Sequence, residues 1–237
     1  YGIFILHLML TACFVIIPLL MRDAGLIAED HWQVYLPVLV TSMAVIVPFV
    51  ILAEKKRQMK AVFTGAIATL VIASLSLCFF NESLTALIFG LWLFFCGFNL
   101  LEATLPSLIS KTAPGDLKGT AMGAYSSSQF MGAFLGGTTG GWIYGAWGAS
   151  FVFLFCACAA ASWLYVAYFM NAPQYLANLM VSTESIALEK LTAFKNALLS
   201  VNGVESVTIT EAVAYLKVDN SLLDKPTLQI AIDEWMV

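Results

Sequence analysis

Long apolar runs separated by short polar stretches fill the first three quarters of the chain. Six runs, at about 2–21, 33–53, 61–80, 84–109, 121–147 and 149–170, hold few charges. At a rise of about 1.5 Å per residue, roughly 20 residues cross the ~30 Å hydrocarbon core, so each run predicts a membrane-spanning helix. The fourth and fifth are longer and predict tilt or a kink, for which Pro106 offers a site. In the fifth, Gly132, Gly136 and Gly140 fall four apart, and Gly137, Gly141 and Gly145 repeat the spacing. A water-exposed helix loses about 1 kcal/mol per such glycine relative to alanine. In a bilayer the same residues let neighbouring helices pack closely.

After Asn171-Ala172-Pro173 the pattern changes. Leu179 to Ser182 reads as a short strand. Leu188, Leu191, Phe194, Leu198 and Val201 recur at helical spacing, and Asn202-Gly203 ends that helix. Val207 and Ile209 alternate with threonines, and Val213 to Val218 forms a second strand of a hairpin across Glu211-Ala212. Asp224 and Pro226 then start a last helix through Leu228, Ile232 and Trp235. The fold class is therefore an all-α membrane bundle of six helices, residues 1–172, followed by a small α+β module, residues 173–237. Its order β-α-β-β-α is ferredoxin-like without a final strand. So small a core suggests support from docking or self-association.

Composition agrees: the chain is 60% hydrophobic and 11% charged, far from soluble proportions. Residues 1–172 hold seven basic and seven acidic residues, whereas 173–237 hold four and eight. An acidic module argues against nucleic-acid binding. Loop charge sets orientation. Lys55, Lys56, Arg57, Lys60, Lys111 and Lys118 lie on one side and only Arg22 on the other, which makes the first side cytoplasmic. The module falls on that side too. The five cysteines lie in apolar runs with no CxxC pair and read as packing residues, with no metal or disulfide framework. Tyr1 already lies inside an apolar run without a signal-peptide pattern, which suggests a piece of a longer chain.

Few polar groups interrupt the spans. Glu102 lies about 10 Å from the cytoplasmic end of the fourth run. A carboxylate there must be protonated, paired or turned to a wet cavity. It is either a proton carrier or a structural partner of a loop Lys or Arg. Asn99 precedes it by one turn, and Trp92 and Cys96 extend the face; they line a cavity or join helices. Tyr125 and Gln129, one turn apart, bind substrate or hold a neighbouring helix. His7, with Thr11 one turn on, is a proton shuttle or a packing residue. The module has neither Cys nor His, so thiolate metal binding is not expected there. No nucleophile–base pair, metal cluster or phosphate loop points to an enzyme or to a cofactor. One class of function open to such a chain is a membrane-anchored sensor whose module binds a ligand or partner.

The six spans, the loop Ala53-Glu54-Lys55-Lys56-Arg57-Gln58-Met59-Lys60 and the stretch Leu105-Pro106-Ser107-Leu108-Ile109-Ser110 … Lys118-Gly119-Thr120-Ala121-Met122-Gly123 resemble the C-terminal half of a major facilitator superfamily transporter. The likeness is to the YajR type, a drug:proton antiporter ending in a ferredoxin-like domain. It implies that the spans are helices seven to twelve of twelve, built as two inverted repeats of three. It implies an N-terminal six-helix half as partner, a small-molecule substrate, protons as coupling ion, and a multi-pass place in the bacterial inner membrane. On this resemblance Glu102 and His7 are the proton-coupling candidates. Asn99, Tyr125, Gln129, Thr11 and Trp92 are the substrate-path candidates. Glu54 and Arg57 are conformational-loop candidates, although no glycine follows at Arg57 or Gln58.

Overall fold

The computed structural model describes residues 1–55, 58–114, 117–170, 176–183, 186–210, 212–219 and 222–235. Six long helices come first: α1 Gly2–Asp23, α2 Trp32–Lys55, α3 Met59–Phe80, α4 Leu84–Thr112, α5 Lys118–Trp147 and α6 Ala149–Phe169. A strand β1 Leu176–Ser182 follows, then α7 Leu191–Leu199, β2 Val204–Thr210, β3 Val213–Asp219 and α8 Lys225–Asp233. Two compact units result, residues 1–107 with 123–173, and residues 108–122 with 174–237.

Among the described residues, five of the six long helices combine spanning length with high mean hydropathy. The exception is α5. It is 30 residues long, so length is not what it lacks. Its glycines, serines and threonines replace the aliphatic side chains that would give it high hydropathy. The basic loop expected over 110–120 is also shorter, because α4 runs on to Thr112 and α5 already starts at Lys118. The α4 helix passes through Pro106 unbroken, and α1 and α2 likewise contain Pro18, Pro37 and Pro48.

The core of the first unit lies between α1, α3, α4 and α6, where Leu6, Met9, Ile16, Ile67, Leu70, Phe94 and Phe153 are fully buried. Asn81 donates to Ser150 Oγ at 2.9 Å and fastens the end of α3 to the start of α6. Only one of the two glycine series is a packing seam. A Cβ on Gly132, Gly136 or Gly140 would run into the backbone of α1 at Phe4, Leu8 and Ala12. Gly137 and Gly145 would meet nothing, and Gly141 only the edge of Val15. The backbones of α1 and α5 therefore touch along one face, and Thr11 donates from α1 to the Ala133 carbonyl of α5 at 2.8 Å.

In the second unit the sheet order is β1-β3-β2, antiparallel at both pairings. Strands β1 and β2 are thus parallel with β3 between them, the split β-α-β of a ferredoxin-like module. Register places Leu179 and Val207 opposite Leu216, and Val181 opposite Ala214. Phe194 and Leu198 from α7 and Leu228 from α8 close the core over that face. Gly203 has φ +90, and a Cβ there would strike Leu223, so glycine ends the α7 segment for both reasons. The Asp224 side chain accepts from Thr227 N and caps α8, with Pro226 in the first turn. Within this unit Lys217 Nζ donates to the Thr112 carbonyl at 3.0 Å.

Candidate functional site

The polar groups of three separate membrane helices meet at His7. Helix α1 places His7 near its start, where the ring is nine-tenths buried. Gln129 Nε2, on α5, donates to His7 Nε2 at 2.8 Å. That nitrogen is then an acceptor, so the proton of the neutral ring sits on Nδ1, which donates to the Ile3 carbonyl at 3.3 Å. Glu102, on α4, brings Oε2 to 4.0 Å from the same His7 Nε2. The Phe98 ring stands edge-on to the imidazole, with centroids 5.8 Å apart, and covers its apolar side.

This arrangement is left unfinished. Glu102 Oε2 and the Tyr125 hydroxyl are buried, yet neither has a hydrogen-bond partner among the described residues. The Glu102 side chain as a whole stays about one-third exposed. One carboxylate oxygen therefore points into protein and the other part of the group reaches open space. Tyr125 is 8% exposed and lies within electrostatic reach of Glu102. Buried polar atoms without partners cost about 1–3 kcal/mol each; among the described residues Tyr35, Ser74 and Thr183 also hold such an atom.

The cluster can exist in two protonation forms. With a neutral ring, Gln129 donates and Glu102 stands apart. A ring protonated on Nε2 has a single N–H there, which either the Gln129 amide oxygen takes after that amide turns, or Glu102 Oε2 takes if the 4.0 Å separation closes. A proton placed on Glu102 gives the same total charge by another route.

Other expected residues fall elsewhere. Asn99 Nδ2 donates to Ser42 Oγ on α2 at 3.0 Å, and Ser42 is fully buried. It joins α4 to α2. Trp92 stacks on Phe89 at 6.0 Å, and ten residues, about 15 Å of helix, separate it from Glu102. Thr11 is committed to the α1–α5 seam. Arg57 lies outside the described residues, and so does the side chain of Glu54. No group of three His, Cys, Asp or Glu able to hold a metal occurs among the described residues. The sequence reading missed one further juxtaposition. Cys13 and Cys156, both buried, bring their sulfurs to 4.0 Å across α1 and α6. Nothing in the spacing of two cysteines 143 residues apart signals that.

A bundle of apolar helices with one ionisable cluster facing open space is an arrangement many membrane proteins share, so relatives decide the family. The sequence pattern of the Major Facilitator Superfamily matches residues 1–205. The chain belongs to the major facilitator superfamily. It is 42% identical over 235 residues to the inner membrane transport protein YajR of Escherichia coli K12, covering 98% of this chain and 51% of that protein. Uncharacterized transporters of Buchnera aphidicola are also similar. One from the Acyrthosiphon pisum subspecies is 31% identical over 135 residues, and one from Baizongia pistaciae is 30% identical over 150. They match 57% and 60% of this chain and 35% and 37% of their own lengths. The chain thus spans about half the length of YajR. The exposed apolar side chains of α2, such as Leu36, Val40, Met43 and Val47, form a surface that lipid can cover.

Proposed function

We propose that this chain is the C-terminal half of a secondary active transporter that exports a small, amphipathic molecule by alternating access, driven by protons. The observation that carries the proposal is the His7–Gln129–Glu102 cluster. Three helices contribute to it, one carboxylate oxygen in it is orphaned, and it can hold one proton. Glu102 and His7 take up the proton. Tyr125, whose hydroxyl is unpartnered, and Gln129, whose amide turns with the protonation state, are the groups that substrate displaces or engages. Proton and substrate then compete for one set of side chains, which is the linkage an exchanger needs. Asn99 holds α4 against α2, so that Glu102 keeps its place while the half rocks. Loop charge supports a cytoplasmic side for residues 173–237, and the likeness to YajR supports a bacterial inner membrane for the helices. No catalytic step enters this scheme.

The test is transport by the intact protein in inverted membrane vesicles, with an imposed pH gradient and a panel of fluorescent amphipathic compounds. Accumulation of at least one compound that collapses with the gradient is expected. Glu102→Gln should still bind that compound and should lose the response to the gradient. An unchanged response in Glu102→Gln removes this residue from the coupling.

A further inference from the structure

Helix α1 is gripped on two faces. The glycine seam holds one against α5, and a second seam holds the other against α6. Near the start of α1 the Tyr1 hydroxyl lies 2.8 Å from Ser162 Oγ, and a Cβ on Gly2 would press on the Trp163 ring. About 16 Å further along the helix, Cys13 Sγ comes to 4.0 Å from Cys156 Sγ. The two cysteines are 1% and 0% exposed. Filling space asks for the volume of a cysteine. It does not ask for two sulfurs turned on one another in a closed apolar interior. A disulfide holds its sulfurs at about 2.05 Å, so closure asks about 1 Å of each.

We infer that Cys13 and Cys156 are an oxidation site, at which a small uncharged oxidant of the hypohalous-acid class joins the two thiols in a disulfide that ties α1 to α6. Burial sets the class of oxidant. A charged or bulky reagent is kept from sulfurs this enclosed, whereas a neutral triatomic acid enters hydrocarbon. The first sulfur takes the halogen from the acid, and its own proton leaves with the hydroxide as water. The second sulfur then attacks the first. The S–S bond forms, and the halogen departs as halide while the second thiol gives up its proton. The two sulfurs lose two electrons between them, and the halogen gains two. The neighbouring thiol and the closed surroundings decide the product. The halogenated sulfur meets Cys156 or Cys13 before it meets water, so it does not climb to sulfinic and sulfonic acid. The tie is reversible by thiol exchange.

The other three cysteines serve as internal comparisons, since Cys78 and Cys96 are half-buried and Cys158 is exposed on α6. The experiment treats the intact protein in lipid vesicles with hypochlorous acid and maps its peptides by mass spectrometry without reduction. The Cys13–Cys156 disulfide should exceed any other pairing by about tenfold, because the fold already holds the two thiols together. Dithiothreitol should return both thiols. The thermal unfolding midpoint should rise on oxidation and fall back on reduction, and Cys13→Ala should show neither change. Three results overturn the inference. Both cysteines remain free thiols, or both end as sulfonic acids, or Cys156 pairs equally with Cys78, Cys96 or Cys158. A midpoint that rises as much in Cys13→Ala also overturns the tie between α1 and α6. Should that variant fail to fold, the wild-type peptide map decides alone.

Discussion

The Gln129 amide fixes the tautomer of His7, and with it the form in which the ring meets Glu102. Gln129→Leu removes the donor to Nε2 at 2.8 Å and leaves that nitrogen to Glu102 alone. Interhelical hydrogen bonds in membranes are worth about 0.6–2 kcal/mol, and a loss of that size is expected in detergent unfolding of the intact protein. Glu102→Gln should cost little stability, because Oε2 has no hydrogen bond among the described residues to lose. A denaturation midpoint near that of wild type, beside altered proton coupling, is the pattern that separates function from structure here. Each member of the cluster was legible as a polar residue in an apolar run. Their meeting was not, since it depends on how α1, α4 and α5 are rotated, and period alone leaves rotation open. Asn99 illustrates the same limit. Three residues from Glu102 on one helix, it reads as part of the same face, yet its amide is taken by Ser42 on α2.

Helix α5 shows what spacing reveals and what it conceals. Both glycine series were visible, but only contact with α1 distinguishes the seam Gly132, Gly136, Gly140 from the open series Gly137, Gly145. Gly136→Ala forces a Cβ against the Leu8 carbonyl and should destabilise the protein by about 1–3 kcal/mol. Gly137→Ala has room and should be neutral or slightly stabilising, as alanine is the better helix former. Thermal unfolding of the two variants side by side checks the assignment. In the small module the strands and helices were largely legible, because alternation and the Asp224–Pro226 start are local signals. The β1-β3-β2 order of the sheet is what the structure adds to that element sequence. The full length of β1 was not legible either, as Leu176 to Asn178 carry no clear alternation. Asp224→Ala removes the cap on Thr227 N and should cost about 1 kcal/mol. Hydrogen exchange at the first α8 amides of the intact protein should quicken by roughly fivefold.

At the scale of the whole chain, the protein belongs to the major facilitator superfamily and spans about half the length of YajR. The helical membrane bundle was legible in hydropathy, a global property that survives any error in helix rotation, whereas the family was legible only through the resemblance carried by residues 53–60 and 105–123. The number of strongly apolar spans was the exception, because α5 trades hydropathy for close packing. One proton shared by Glu102 and His7 is the event on which the transport scheme turns, and it can be watched before any substrate is known. Infrared difference spectroscopy of the intact protein in lipid, taken across a pH step, reports the carbonyl stretch of a buried carboxylic acid. The expected result is a titrating carboxyl band that is missing in Glu102→Gln and moves in frequency or midpoint in His7→Gln. A wild-type difference spectrum with no such band, or a band that both variants leave unchanged, would contradict Glu102 as the proton carrier.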